Sequence, residues 1–479
     1  MNQTQAEPQK APKKQPMLFS NRELIRLSLP LILQQIFSVT IGAVDTVMVA
    51  AAGETVVSGV SLISTLDTML VLIFSSMVTG GSVVISQLLG RRDSDAARSA
   101  AKQLLYISTM VATAVTLIVV ILRVPLLHLL FGKAEPAVMS SALEYFTIVS
   151  LSFPLLAIES SGAVIYRVTG NSMIGLKVSV VMNLINVAGN ATLIYGLGMG
   201  AAGAAIPTFV SRLIGAGVMI YLMVHQNNPL RIERLLHYRP DRHTIRAILR
   251  IGVPNGVENG MFQFGRLMTQ SLVSSLGTTA IAANAVALTL ANYQYMPGTA
   301  IGGVIIPVVG RCVGAGEEKQ AKYYSKFLVG VTYALLWAVI LLTLLFAKPI
   351  ISLYELSADS AALAYEMIVF HCIIAAILWP IAFTLAIPFR AASDVRFPLV
   401  VSVFSMWAFR VALSYFFALE SVTLFGLTLP GLGLGPLGIW VAMMVDWIFR
   451  AVLFVWRYLS GRWLSFLKLK KNRAANGSE

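Results

Sequence analysis

A chain of 479 residues that is 57% hydrophobic and only 12% charged has the composition of a protein dissolved in lipid, which excludes an ordinary soluble domain. Its formal charge of +14 would suit a nucleic-acid partner, but the Lys and Arg collect in short stretches between long apolar runs, and that placement argues against nucleic acid. Cys312 falls near a predicted helix end and Cys372 inside a predicted span, so no disulfide framework is expected.

Residues 1–22 read as a polar, disordered cytoplasmic tail with no signal peptide. Six apolar spans follow, near 24–50, 56–88, 102–131, 142–166, 178–197 and 201–225, each long enough to cross a hydrocarbon layer that needs about 20 residues. A basic stretch, 226–250, reads as a cytoplasmic connector lying at the lipid headgroups. Six more spans are expected near 251–275, 281–309, 327–351, 362–388, 397–419 and 434–456. The expected organisation is an N-lobe of 23–225, a C-lobe of 251–459 and a basic tail of 460–479. The loops of one side hold only Arg123, Lys133 and Lys348, and four arginines lie within spans; the rest of the 36 Lys and Arg fall on the other side. The positive-inside rule therefore places both termini in the cytoplasm.

The halves repeat. One constant offset carries Pro30 to Pro254, Gly53 and Thr55 to Gly277 and Thr279, and Gly90, Asp93 and Arg98 to Gly314, Glu317 and Lys322. Farther on, YRVTGNS (166–172) echoes FRAASDV (389–395) and YGLGMGAAG (195–203) echoes PGLGLGPLG (430–438). Two sets of six spans starting on the same side make parallel repeats about a pseudo-twofold axis along the membrane normal, a plan common in transporters. No HExxH, P-loop or nucleophile constellation points to an enzyme.

Charged and polar groups inside spans cost enough that they usually face a cavity or a partner. Gln34, Ser38, Gly42 and Asp45 share one face of the first span. Asn183, Asn186 and Asn190 form a stripe on the fifth, and Thr208 offers a hydroxyl on the sixth. With Asp45 they are candidates for an oxygen-rich cation or proton site, although asparagines in spans also simply tie helices together, at about 0.6 kcal/mol each. The seventh span carries Asn255, Glu258, Asn259, Phe262, Arg266 and Thr269, with Glu258 the second acid candidate. Asp446 and Arg450, one turn apart, are expected to neutralise each other. His371 reads as a satisfied polar group, and Asp67, Glu159, Arg212 and Arg410 stay open.

LSLPLILQQIFSVTIGAVDTVMVAAAGETVVSGVSL with VVISQLLGRRDSDAARSAA, and IGVPNGVENGMFQFG with VGRCVGAGEEKQA in the second half, resemble the multidrug and toxic compound extrusion (MATE) family. The similarity runs over residues 20–460 and includes NLINVAGNATLIYGLGMGAAGAA. The resemblance implies an all-α membrane protein of twelve transmembrane helices, in two pseudo-symmetric six-helix lobes around a central V-shaped cleft. It implies export of cationic lipophilic drugs or toxic metabolites by antiport with H+ or Na+. No other cofactor is expected, and a monomer in a bacterial cytoplasmic (inner) membrane should suffice, since one chain holds both lobes. Asp45 matches the family's first-helix acid, and Asn186, Asn190 and Thr208 match its cation-coupling site, where one branch has Asp at the position of Asn190. A bound Na+ there is the only metal implied. Gln34, Asn183, Glu258, Asn259, Phe262 and Arg410 are assigned to the substrate cleft. The seventh-helix acid of other members falls on Phe262 here, with Glu258 one turn earlier as a substitute, and their tenth-helix acid falls near Trp379. The alternative is a flippase of lipid-linked precursors or an exporter of another metabolite. A cleft lined by Arg212, Arg266 and Arg410 would favour the flippase, and an acidic cleft the exporter.

Overall fold

In hydrocarbon every backbone N–H and C=O must find its partner within the chain, and this chain answers with helices. The computed structural model describes residues 17–465 apart from Lys133, Asn227, Arg234, Leu236, Phe425 and Gly426, so most of the expected N-terminal tail and of the tail at 460–479 lies outside the described residues. The first half runs α1 (Asn21–Ala50), α2 (Glu54–Gly90), α3 (Ser94–Phe131), α4 (Pro136–Ser150 continued by Phe153–Val168), α5 (Ser172–Gly196) and α6 (Gly200–His225). The second runs α7 (Arg242–Ser275), α8 (Thr278–Gly314), α9 (Glu318–Ser352), α10 (Ala358–Ala391), α11 (Arg396–Ala418) and α12 (Pro436–Leu459). Eleven of these spans are long and apolar enough to cross a membrane, counting bent α4 as one. The exception is α7, whose polar residues Asn255, Glu258, Asn259, Gln263, Arg266 and Gln270 all lie inside protein or a cavity.

Where the helices depart from regularity, the sequence gives the cause. The two pieces of α4 meet at 45°, just ahead of Pro154, which has no N–H to continue the ladder. Among the described residues three π-helical turns occur, at Ala191–Gly196 in α5, Pro380–Thr384 in α10 and Met406–Val411 in α11. A hairpin of β1 (Ser421–Leu424) and β2 (Leu427–Pro430), with Val422 opposite Leu429, joins α11 to α12 and was not foreseen. Helix α7 starts at Arg242, so the end of the expected connector is already helix.

The pseudo-twofold axis is visible in matched contacts. Gly53 and Gly277 precede α2 and α8 with φ of +108° and +95°, a region closed to most L-residues. At the far ends of those helices a Cβ on Gly90 would overlap the Arg311 carbonyl, and one on Gly314 would overlap the Gln87 carbonyl, so the two backbones touch directly. Around this crossing Gln87 Nε2 donates to the Ala391 carbonyl at 2.8 Å, and its counterpart Arg311 donates to the carbonyl of Val168. Farther into the bundle Gln35 Nε2 donates to Thr299 Oγ1 at 2.7 Å and its counterpart Asn259 Nδ2 donates to Ser76 Oγ at 2.9 Å. All these bonds join one half to the other near one end. Nearer the start of α2 the two six-helix lobes wall a cavity between them, within the V-shaped cleft of this fold.

The lobes also exchange their first turns. Leu24, Leu27 and Leu31 of α1 pack in one core with Val308 of α8, Tyr324 of α9 and Phe389 of α10. Reciprocally, Ile248 of α7 packs with Ile85 of α2, Leu104 of α3 and Met219 of α6. The chain ahead of α1 joins the exchange: the backbone N–H of Leu18 reaches Gln320 Oε1 at 2.8 Å and that of Phe19 reaches the Tyr324 hydroxyl at 3.0 Å. Ser20 then caps α1, exchanging bonds with Glu23, whose backbone N–H donates to Ser20 Oγ at 3.3 Å.

Candidate functional site

In the N-lobe α1 packs on α5 and α5 on α6, which brings Asp45, Asn186, Asn190 and Thr208 into one hydrogen-bonded chain. Asn190 Nδ2 donates to Asp45 Oδ1 and, at 3.4 Å, to Asn186 Oδ1; Asn186 Nδ2 donates to Thr208 Oγ1 at 3.1 Å. The spacing of Asn186 and Asn190 by one turn lets both face α1 and α6. Asn190 is fully buried and its Oδ1 has no hydrogen-bond partner, an uncommon state for a buried amide oxygen. The π-helical turn of α5 begins directly after it, where such turns often accompany function. Asn183, two turns before Asn190, is half-buried and outside this chain.

Asp67 of α2 lies behind the cluster, 3.6 Å from Arg212 of α6. Arg212 Nη1 also donates to Ser152 Oγ at 2.7 Å, at the break of α4. Tyr145 of α4 is close enough to Asp45 and Asp67 to feel both charges. Arg212 therefore belongs to an N-lobe ion pair and does not reach the cavity described next.

That cavity, of about 330 Å³, lies between α2, α7, α8, α11 and α12. Thr65 and Thr68 come from α2, Gln263, Arg266 and Gln270 from α7, and Asn284 from α8. Arg410 enters from the π-helical turn of α11, and Trp440 and Met443 from α12. Trp440 Nε1 donates to Asn284 Oδ1 at 3.0 Å, and Asn284 Nδ2 to Gln270 Oε1 at 3.3 Å. Behind Arg410 sits Asp446, 2.7 Å from Arg450 Nε and 3.9 Å from Arg410 Nη1. The Phe262 ring lies 5.5 Å from the guanidinium carbon of each of these arginines. His371 bonds Tyr295 at 2.7 Å within an aromatic cluster that includes Trp379, Trp440 and Trp447.

Of the residues assigned to the substrate cleft, Arg410 lines this cavity, while Gln34, Asn183, Glu258, Asn259 and Phe262 are not among its walls. Glu258 is held by Arg390 at 2.7 Å, so it does not stand as a free acid in place of the missing seventh-helix one. Asn259 serves the bond to Ser76 between lobes, and Phe262 packs over Arg410 and Arg450. The sequence reading passed over Gln263, Gln270 and Asn284. Gln263, Arg266 and Gln270, spaced three and four apart, were the available signal, since that spacing puts polar groups on one helix face.

Comparison with known proteins follows the same two halves. The MatE family model matches the chain twice, over residues 30–192 and 254–416, each match beginning at one of the two prolines that the internal repeat superposes. Similar proteins include "Uncharacterized transporter YisQ" of Bacillus subtilis, 27% identical over 92% of this chain and 94% of that one. "Probable multidrug resistance protein NorM" of Thermotoga maritima is 25% identical, covering 94% and 95%. "Multidrug resistance protein PmpM" of Pseudomonas aeruginosa is 24% identical, covering 90% of each. Among solved structures, an outward-facing multidrug resistance MATE family transporter of the MOP superfamily superposes with a TM-score of 0.83 at 19% identity, covering 93% of this chain and 96% of that one. A MOP superfamily transporter from Pyrococcus furiosus, described by the reverse polarity of its binding pocket and a suggested different function, superposes with a TM-score of 0.81 at 19% identity over the same shares.

Proposed function

The chain belongs to the MatE family of membrane transporters, and we propose on that premise that it is a secondary active exporter of small amphipathic compounds, driven by H+ or Na+ entering through Asp45. The observation that carries the proposal is the Asp45–Asn190–Asn186–Thr208 chain, with a carboxylate and a buried amide oxygen lacking a partner. A structural tie between helices would use both ends of the Asn190 amide, and here one end is left for a ligand. The carboxylate can hold a proton; together with the neutral oxygens it can hold Na+, which prefers such hard donors. The cluster holds one carboxylate, Asp45, beside neutral amide and hydroxyl oxygens, a charge that suits a monovalent ion better than a divalent one.

The basic loops assign the end where Gly90 and Gly314 meet to the cytoplasm, and with it both termini. The cleft then opens outward, and export requires this seam to part while the other end closes. Binding of the cation at Asp45 stabilises one of the two arrangements and cargo the other, which is all that coupling requires. The names of the relatives, multidrug resistance proteins of bacteria, support a broad cargo. The fold leaves the sign of the cargo open, since one neighbour of this fold is described by a pocket of reverse polarity. A positively charged cargo, as the resemblance implies, meets no carboxylate among the walls of the cavity.

Reconstitution in proteoliposomes tests the proposal. A pH gradient and a sodium gradient are imposed separately, with ethidium as a cationic cargo and fluorescein as an anionic one. Transport of either dye that follows one gradient and is lost in Asp45→Asn is expected, and the effective gradient names the ion. Transport that ignores both gradients, or that Asp45→Asn carries unchanged, refutes it.

A further inference from the structure

We infer that the cavity between α2, α7, α8, α11 and α12 binds the anionic group of an amphipathic cargo: an organic carboxylate, a sulfonate or a phosphate ester. The inference rests on the exporter reading only in treating this cavity as a place where cargo binds.

The charges decide it. Arg266 and Arg410 are the charged residues of the cavity wall, and no Asp or Glu is among them. Behind them, Asp446 is the one carboxylate among the described residues in contact with the cluster, and it is already engaged: Arg450 Nε lies 2.7 Å away and the Ser405 hydroxyl donates to the same oxygen. Arg410 reaches its other oxygen only at 3.9 Å and directs Nη2 to the Met443 sulfur at 3.2 Å. Arg266 makes no ion pair with any described residue. Arg410 and Arg450 thus share one carboxylate while Arg266 has none within ion-pair distance among the described residues, leaving an excess of two positive charges over the three guanidinium groups. The rings of Phe262 and Phe383 lie against Arg410 and Arg450, but an aromatic face attracts a cation without cancelling its charge. Unneutralised arginine at membrane depth calls for a counter-charge, and a guanidinium offers a planar fork suited to carboxylate and phosphate oxygens.

The neutral groups agree in polarity. The Trp440–Asn284–Gln270 relay uses the carbonyl end of the Gln270 amide, and this leaves its NH2 end as a donor. A cation would meet two guanidinium groups and donor hydrogens; an anion meets complementary ones. Leu66, Met69, Leu267, Leu288 and Met443 supply an apolar wall for the remainder of the molecule. A volume of about 330 Å³ suits a headgroup with one ring system or the start of an alkyl chain, near the lower end of small-molecule pockets.

The test is equilibrium binding to the intact protein in nanodiscs of phosphatidylcholine, followed by fluorescence polarisation. The probes are fluorescein and the cationic methyl ester of rhodamine, which share a xanthene skeleton and differ in the sign of their charge. Fluorescein is expected to bind, with Arg266→Gln weakening it by about tenfold or more and Arg266→Lys, which keeps the charge but loses the planar fork, falling between the two. Because the Arg266 side chain has no ion-pair partner among the described residues, Arg266→Gln should keep the wild-type melting temperature, which separates lost binding from lost fold. Discs containing phosphatidylglycerol then distinguish two sources of anion. Unchanged fluorescein affinity identifies a soluble anion as cargo, and competition by the lipid identifies a headgroup; either result supports an anion site. Fluorescein that fails to bind, or binds wild type and Arg266→Gln equally, overturns the inference, as does tighter binding of the cationic ester than of fluorescein. No gradient enters this measurement, so its failure leaves the Asp45 coupling reading intact, and failure of coupled transport leaves this result intact.

Discussion

Replacing Gly90 with alanine should loosen the closed end of the bundle. The added methyl would overlap the Arg311 carbonyl oxygen and sit 2.9 Å from the Ala315 backbone nitrogen, inside van der Waals contact. Both obstacles are backbone atoms at the C-terminal end of α8, in Arg311 and in the capping residue Ala315, so no rotamer change can relieve them. The lobes must separate or a helix must bend, and overpacking of this kind costs about 1–3 kcal/mol. If the seam is where the lobes part, that cost falls on the closed arrangement alone and raises the population open at this end by about 5-fold to 150-fold. Ser86→Cys provides the reporter, because Ser86 is fully buried and faces Gly310 across the seam. The native Cys312 and Cys372 are both buried and give a low background. Maleimide labelling of Ser86→Cys in membranes should accelerate by that factor when Gly90→Ala is added. Gly330→Ala serves as the control, since a Cβ there meets nothing within 4 Å. Equal labelling with and without Gly90→Ala, or equal acceleration by Gly330→Ala, would refute the reasoning.

Glu258→Gln leaves the partly buried Arg390 without its counter-charge and should cost up to about 3–5 kcal/mol, seen as a lowered melting temperature in detergent; adding Arg390→Gln should recover much of the loss. Asn190→Ala removes the amide that joins Asp45 to α5, and the lost charge-assisted bond should cost about 1.5–3 kcal/mol by the same measurement. At the start of α7, where Asp241 is the N-cap, the Thr244 hydroxyl and the backbone N–H groups of Thr244 and His243 hold the Asp241 carboxyl below the usual carboxylate range. Its folded pKa is depressed, so the stabilisation is present above about pH 4 and is lost as the pH falls through the folded value. The difference in melting temperature between wild type and Asp241→Ala should therefore be present at neutral pH and vanish in acid.

Hydropathy made the helices legible, because lipid imposes the same length and apolarity on every span. It undervalued α7, whose polar face is sheltered by protein, and there the internal repeat was the better guide. Charge pairing was legible only at helical spacing. Asp446 and Arg450, one turn apart, were expected to pair and do so at 2.7 Å. Glu258 looked unpaired because its partner Arg390 lies 132 positions away, and only tertiary packing joins them. The same limit hid the walls of the cavity, which draw on five helices from both halves. The asparagine stripe could be read from spacing, whereas the lone oxygen of Asn190 depends on which way its amide turns toward Asp45.

The traded first turns of α1 and α7 give this single chain the logic of a swapped dimer. Each half completes its partner's core, with Leu24, Leu27 and Leu31 lent one way and Ile248 the other. Cut between residues 226 and 241, neither fragment holds all the apolar surface its own helices need, while the two together do. Mutual completion of this kind makes folding of the halves interdependent, and a tandem arrangement guarantees each half its complement at high effective concentration.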